Sequence, residues 1–533
     1  MSRAFQEAYQ RRFVEEQLPA AWKAGHKSVL LVLPVSAGKT RCARLVIERL
    51  LRLGDWDVWF GAHRRELVEQ SAAELAHLEP RVLLARAPTP RPCPLRVFSR
   101  DTLSRREIAP LRDKCFLVVD EAHRLMGASW LGLLAKFRER YRVVYVLMLT
   151  ATPYRLDGKP LANVADCLVE PVTPGELIDN GVIHEPRLVY YEEIGGLDKV
   201  RRLGGDFALS ELELLTKKLD GDVVKEWKKW CDGYPGVLRA ATVAHSRSLV
   251  ERLRAAGLRA EHLDGETPLA QRDEVLARLA VGGERNGCPA GVDVLCQVDV
   301  ASEGWNPPSD YDRYLRLEHL HGSRLYPYAP ICILSDCRPT LSSCGYMQFL
   351  GRGCRQSGDT IATSQGPMPA LPKPWFRYLD HSRNWERHGT LREHWGFSLT
   401  EGEPRGRAPR DKRGLVTARY CPRCLSVWPG SASACSCGAA LAQARVLEET
   451  GDRQLAEGGA PKLAAASDAR KADLLANLWA KEVRAKGTIE AVNHKRVAAI
   501  FKSMTGAWPT SEALSAAKRA ALDKLSKRGP DSS

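Results

Sequence analysis

The feature that most constrains this chain is a twice-repeated alternation of short apolar runs with helix-period segments. In the first third, residues 29–33, 58–60, 116–119 and 143–149 are apolar runs of strand length, and 41–53 and 66–78 carry apolar residues at helical spacing. From about Val237 the pattern returns, with runs at 240–244, 292–300 and 331–334 and helix-period segments at 247–256 and 268–279. Unbroken apolar runs alternating with amphipathic helices predict parallel sheets with helices on both faces. The expected fold class is α/β, with two tandem lobes joined by a polar, mostly helical connector near 175–235. Two large domains also suit 533 residues, more than one hydrophobic core serves.

Composition bounds the class further. The hydrophobic fraction of 44% and charged fraction of 27% are ordinary for a globular protein. A formal net charge of +15 attracts polyanions; a solvated basic face and a phosphate-backbone surface both fit it, and only motifs separate them. Four of the fifteen cysteines cluster at ligand spacing. The others are scattered, several in apolar runs such as the one holding Cys115, as expected of reduced thiols. The chain shows no apolar signal region and no stretch fit to cross a bilayer, so the expected location is the cytoplasm, without a membrane partner.

The first apolar run leads into Pro34-Val-Ser-Ala-Gly-Lys-Thr40 and then a helix. Strand, tight loop and helix start together form a phosphate cradle. Ser36, Ala37 and Gly38 line it, Lys39 meets the β- and γ-phosphates, and Thr40 holds Mg2+. The usual first glycine of the long pattern is missing. The run at 116–119 ends in Asp120-Glu121-Ala122-His123. An acidic pair at the C-terminal edge of a parallel strand sits where such sheets bind ligands. Asp120 is expected in the Mg2+ shell, and Glu121 is expected to orient and deprotonate the attacking water. In the second half, Gln348-Phe-Leu-Gly-Arg352-Gly-Cys-Arg355 places two arginines three apart, on one face of a predicted helix. Each can stabilise charge building on a γ-phosphoryl group.

These segments resemble superfamily 2 helicases of the DEAD/DEAH-box type: 34–40 motif I, 120–123 motif II, Thr150-Ala-Thr-Pro153 motif III, and 348–355 motif VI. Ala62-His-Arg-Arg-Glu-Leu67 resembles motif Ia, which in that family touches the nucleic-acid backbone. Tyr9-Gln10 is similar to the adenine-reading Q motif, with Gln10 the candidate reader. Ser302-Glu-Gly-Trp-Asn306 resembles motif V, so Gly304 and Asn306 are expected at the nucleotide, with Asn306 where an aspartate is common. Asp264-Gly-Glu-Thr-Pro268 with Arg272 matches the segment after motif IV.

The resemblance covers about residues 5–390. Arg338-Pro-Thr-Leu-Ser342, Asp380-His381 and His388-Gly389 are closest to the RadD-like branch, implicated in bacterial DNA repair and carried by phages. Relative to that pattern, 311–328 is an insertion. The likeness implies two RecA-like lobes, ATP and Mg2+ as cofactors, and nucleic acid as partner. It favours DNA by analogy alone. It also admits single-stranded-DNA-binding or repair proteins as partners.

After about residue 390 the character changes. Residues 401–413 are rich in Arg, Pro and Gly and read as linker. Cys421, Cys424, Cys435 and Cys437 then form C-x2-C-x10-C-x-C, a zinc-ribbon-like pattern in which four thiolates hold a structural Zn2+, with the second knuckle one residue short. The tail is Ala-, Lys- and Leu-rich, with Lys495-Arg496, Trp508-Pro509, Lys518-Arg519 and Lys527-Arg528. It fits a DNA grip and a solvated helical tail equally. The expected boundaries are 1–175 for the ATP-binding lobe, 176–235 for the connector, 236–390 for the second lobe, 391–415 for a basic linker, 416–445 for the ribbon and 446–533 for the basic tail.

The function expected is an ATP-dependent nucleic-acid motor, a helicase or translocase of DNA repair or phage DNA metabolism. Two alternatives stand: the translocation subunit of a restriction-type system, its nuclease on another chain, and a non-catalytic nucleic-acid-binding protein. A protein freed from hydrolysis has no physical need for the full set Lys39, Thr40, Asp120, Glu121, Gln348, Arg352 and Arg355.

Overall fold

Five consecutive buried residues, Ser28–Val32, form strand β1, and an unbroken buried run is a strand covered on both faces. The computed structural model describes residues 2–63, 65–84, 93–122, 128–153, 161–190, 197, 200–203, 206–216, 220–298, 307–322, 324–392, 397–400, 418–421, 427–429, 434–435, 439–443, 456–457, 475–476, 479, 497–498 and 510–526. It separates into two compact units, Met1–Gly459 and Ala460–Ser533, and both lobes lie in the first.

The first lobe adds β2 (Trp56–Ala62), β3 (Arg81–Leu83), β4 (Leu95–Ser99), β5 (Lys114–Val119), β6 (Val143–Thr150) and β7 (Cys167–Val169). Their order is β3-β4-β2-β5-β6-β1-β7, and every pairing is parallel. Side chains alternate between faces. Two N-terminal helices, α1 (Ser2–Arg12) and α2 (Leu18–Lys23), precede β1. Leu31, Phe60 and Val118 join α3 (Lys39–Leu53) through Val46, Ile47 and Leu50. On the other face, Leu30, Trp59 and Leu117 pack with Trp130, Leu133 and Phe137 of α4 (Ala128–Arg140). The helix expected at 66–78 is Arg65–Glu74 followed by a separate 3-10 turn, Ala76–Leu78.

The second lobe is a seven-stranded sheet of β8 (Pro186–Tyr190), β9 (Gly236–Arg239), β10 (Ala260–Leu263), β11 (Val294–Gln297), β12 (Ile333–Asp336), β13 (Phe376–Asp380) and β14 (Ala456–Glu457). The order is β10-β11-β9-β12-β13-β8-β14, parallel except for β14, which runs antiparallel to β8. Thus β8 falls inside the segment expected to be mostly helical, yet completes the second sheet beside β13. Its apolar run, Leu188-Val-Tyr-Tyr191, is bounded on both sides by charge, Arg187 and Glu192.

The strand expected at 240–244 is displaced. Its place is taken by β9, which ends at Arg239, and by a helix, Val243–Ala255, capped by Thr242, whose hydroxyl accepts the His245 N–H. A capping hydroxyl inside an apolar run starts a helix where periodicity alone reads strand. The expected strand at 292–300 is Val294–Gln297, with 299–300 outside the described residues, and that at 331–334 is shifted to Ile333–Asp336. Within 311–328, Tyr311, Tyr314 and Tyr328 bury against Ala277, Ala280 and Cys288. Among the described residues, no helix is long and apolar enough to cross a membrane.

Candidate active site at the lobe junction

The phosphate loop follows β1. Ser36 and Gly38 both adopt left-handed backbone, φ 70° and 83°, and Gly38 caps α3. A Cβ on Gly38 would lie 2.6 Å from Gln10 Nε2, so glycine also lets the N-terminal helix close on the loop. The Tyr9 hydroxyl donates to the Ala37 carbonyl at 2.6 Å, and Gln10 Nε2 approaches it at 3.5 Å. Gln10 is 1% exposed, and its Oε1 has no hydrogen-bond partner among the described residues. A buried acceptor beside the phosphate loop suits the exocyclic amine of adenine. Tyr9 is the residue that sequence reasoning undervalued; its signal was adjacency to Gln10.

Lys39 Nζ donates to the Leu33 carbonyl at 3.3 Å. Burial pushes its pKa down, while Glu121 and Asp120 pull it back up. Asp120 is pushed up to about 7, first by burial and then by the like charge of Glu121, against the opposing pull of Lys39. Glu121 is 9% exposed with φ 53°, a strained conformation for a side chain, and its N–H donates to Asp120 Oδ1 at 3.0 Å. A buried carboxylate pair of this kind favours a divalent cation with oxygen ligands. Asp120 fits Mg2+ on that ground, and Thr40 stands beside Lys39 in the first turn of α3.

The second lobe closes the site. Helix α5 (Ser343–Gly353) is capped by Ser342, whose hydroxyl accepts the Gly345 N–H at 3.1 Å. The helix stops at Gly353 with Cys354 as its cap, so Arg352 sits in the last turn and Arg355 lies beyond it. This corrects the expectation that both arginines share a helix face. Both still reach the phosphate loop: they number among the charges that depress Lys39, and Arg355 Nε donates to Ser36 Oγ at 3.4 Å. Ser36 Oγ in turn approaches the Gly351 carbonyl at 3.5 Å. Gln348 is buried, and its Nε2 has no partner among the described residues. Burial and the Arg352 charge push Arg355 down to about 10.

Other contacts around α5, one of them between the lobes, carried no sequence signal. Thr152 Oγ1 meets Cys344 Sγ at 2.9 Å, joining the Thr150-Ala-Thr-Pro153 segment to α5. Arg239 pairs with Asp336 and donates to the Gly345 carbonyl at 3.2 Å, seating the helix from below. Asp206 holds the loop before α5 by accepting from Thr340 Oγ1 and the Leu341 N–H, both at 2.7 Å.

Several expected residues fall outside the described ones: Arg64, His123, Gly304, Asn306, Cys424, Cys437 and Trp508. Cys421 and Cys435 are buried near a three-stranded antiparallel sheet formed by Ala418–Tyr420, Val427–Pro429 and Ala442–Gln443. Among the described residues, no group of three or more His, Cys, Asp or Glu could hold a metal ion.

Residues 5–155 match the family described as type III restriction enzyme, res subunit. A 51.5 kDa protein of a Lactococcus phage (isolate 7-9) is 28% identical over 338 residues, 63% of this chain and 64% of that protein. The chain thus spans about 64% of the length of the curated relative it matches. Among solved structures, the ATP-dependent type ISP restriction-modification enzyme LlaBIII bound to DNA is similar at TM-score 0.46 and 14% identity, over 69% of this chain and 27% of that one. S. cerevisiae Dbp5 bound to RNA and ADP BeF3 is similar at TM-score 0.40 and 15% identity, over 67% and 80%.

Proposed function

We propose that this chain is an ATP-driven nucleic-acid motor of the superfamily 2 helicase type whose hydrolysis depends on lobe closure. The observation that carries this reading is the contact of Arg355 with Ser36: an arginine of the second lobe stands on the phosphate loop of the first. In that arrangement Lys39 takes the β/γ-phosphates, Gln10 reads adenine, and Glu121 orients and deprotonates the attacking water. Arg352 and Arg355 stabilise charge on the γ-phosphoryl only while the lobes are closed, and Gln348 lies one turn before Arg352 on the same helix. Mg2+, held by Thr40 and Asp120, would neutralise charge between the β- and γ-phosphates. Gly304 and Asn306 are assigned to the same cleft on the motif V resemblance alone.

The net charge of +15 supports a polyanionic track, and the RadD-like segments favour DNA and a role in repair or phage DNA metabolism. A structural Zn2+ on Cys421, Cys424, Cys435 and Cys437 suits a ribbon too small for its own core. The family match over 5–155 supports a second reading, the translocation subunit of a restriction-type system. The test is ATP turnover without nucleic acid and with single-stranded DNA, duplex DNA and RNA, beside Lys39→Ala and Arg352→Ala. Turnover that one polymer stimulates and both variants abolish supports the motor and names its track. Folded protein without turnover under any condition sinks it.

A further inference from the structure

The C-terminal turn of α5 is clamped from three sides. Phe376 of β13 lies against Gly353, where an added Cβ would come 2.0 Å from its ring. The His184 N–H, just before β8, donates to the Cys354 carbonyl at 2.7 Å. Lys373, on the loop leading into β13, donates from Nζ to the Gly353 carbonyl at 2.5 Å, with its ammonium over the Phe376 ring, 5.4 Å from the centroid. Lys373 is 7% exposed. A lysine so deeply buried is costly unless its charge is used. The last carbonyls of a helix carry partial negative charge and lack intrahelical donors, and an ammonium there satisfies both.

We propose that Lys373 is a positioning residue for the γ-phosphate arginines: its ammonium fixes the end of α5 in the register that sets Arg355 against Ser36. This deepens the proposed function and rests on its reading of Arg355. Lys373 acts through the Gly353 carbonyl, two residues before Arg355. Gly353 is required because only a residue without a side chain admits Phe376, and Lys373 then closes the turn that the glycine leaves open.

The groups facing Lys373 are Cys332 just before β12, Cys354 and Arg355 just beyond α5, and His184 before β8. Burial raises both thiols to about 12 and lowers His184 to about 4, so near neutrality these three stay uncharged. Lys373 itself is pushed down to about 8, chiefly by burial. Of these groups, it alone changes charge near pH 8. The ammonium is present below that pH and lost as pH rises through it, so the clamp weakens on the alkaline side.

The experiment compares the full chain with Lys373→Met, Lys373→Gln and Lys373→Arg. It reads kcat and KM for ATP between pH 6.5 and 9 and amide hydrogen exchange over 351–356. Loss of the clamp in Lys373→Met is expected to lower kcat by about tenfold while KM stays within about twofold, since Arg355 acts on the transition state. Exchange at 351–356 should quicken in Lys373→Met. Lys373→Arg, charged throughout, should restore kcat and abolish the wild-type fall above pH 8; Lys373→Gln, a donor without charge, should rescue only in part. Unchanged kcat and exchange in Lys373→Met overturn the proposal, as does a loss of kcat accompanied by equal loss of nucleotide binding and a global fall in Tm. If the wild type shows no turnover at all, the motor reading fails, and the exchange comparison still decides the clamp: quickened exchange supports it and unchanged exchange overturns it.

Discussion

Gly351 and Val35 belong to different lobes, yet a Cβ built on Gly351 would come 2.4 Å from the Cβ of Val35. The last turns of α5 therefore rest directly on the phosphate loop. Backbone-bound contacts of this kind cannot yield by a side-chain rotation. Gly351→Ala should hold the lobes apart and lower nucleic-acid-stimulated kcat by about tenfold or more, while nucleotide affinity, set mainly by the first lobe, stays within about threefold. Turnover together with fluorescent-nucleotide binding checks this; wild-type kcat in the variant would show that the contact is dispensable.

Arg355 carries the cross-lobe contact with Ser36. Arg355→Ala should lower kcat by about a thousandfold, the usual worth of an arginine finger, with nucleotide binding little changed. Arg355→Lys should recover only a small part, because an ammonium lacks the planar fork of donors. Single-turnover hydrolysis separates this loss from slow product release.

The acid–base balance at Asp120 gives a signed pH effect. Its pKa in the fold lies near 7, above the ordinary 3.8, because burial and Glu121 disfavour its charge. Between those values the folded chain binds more protons than the unfolded one, so this group costs stability increasingly as pH rises from about 4 to about 7. Asp120→Asn escapes the cost. Without Mg2+, its Tm should exceed that of the wild type by roughly 2–4 °C at pH 8 and by less at pH 5. Calorimetry at the two pH values decides it, and an equal shift at both would refute the assignment.

The cysteine pattern is tested by metal content. Mass spectrometry of purified chain should find one zinc per molecule, lost in Cys421→Ser and Cys435→Ser. Metal loss should leave basal ATP turnover in place, since the ribbon-like segment supplies none of the residues placed at the phosphate loop. Zinc-free wild-type protein that folds normally would place the cysteines in an apolar core instead.

Much of this molecule was readable because its chemistry demands residue types at fixed points along strands. Gly38, Lys39 and the Asp120-Glu121 pair must stand at strand ends, so an apolar run announces them. Gln348 and Arg352 were legible through their fixed spacing along one helix. What stayed hidden depends on partners distant in sequence. Lys373 looks like any loop lysine until the fold brings it to Gly353. Cys344 and Thr152 are 192 residues apart. The end of α5 was misjudged because Cys354 and Arg355 are acceptable in a helix; Phe376, pressing on Gly353, belongs to another strand. Thr242 misled in the opposite way, as a polar break small enough to pass for part of a strand.

The position of β8 in the second sheet has a consequence for biosynthesis. Its neighbour β13 begins at Phe376, opposite Pro186, and its other neighbour β14 begins at Ala456. A ribosome adding about 5–20 residues per second therefore leaves Leu188 and Val189 without either neighbour for roughly 10–40 s. For that interval a nascent edge strand must be shielded by the folded first lobe or by a chaperone, which makes this stretch the point where synthesis of the chain is most open to mispairing.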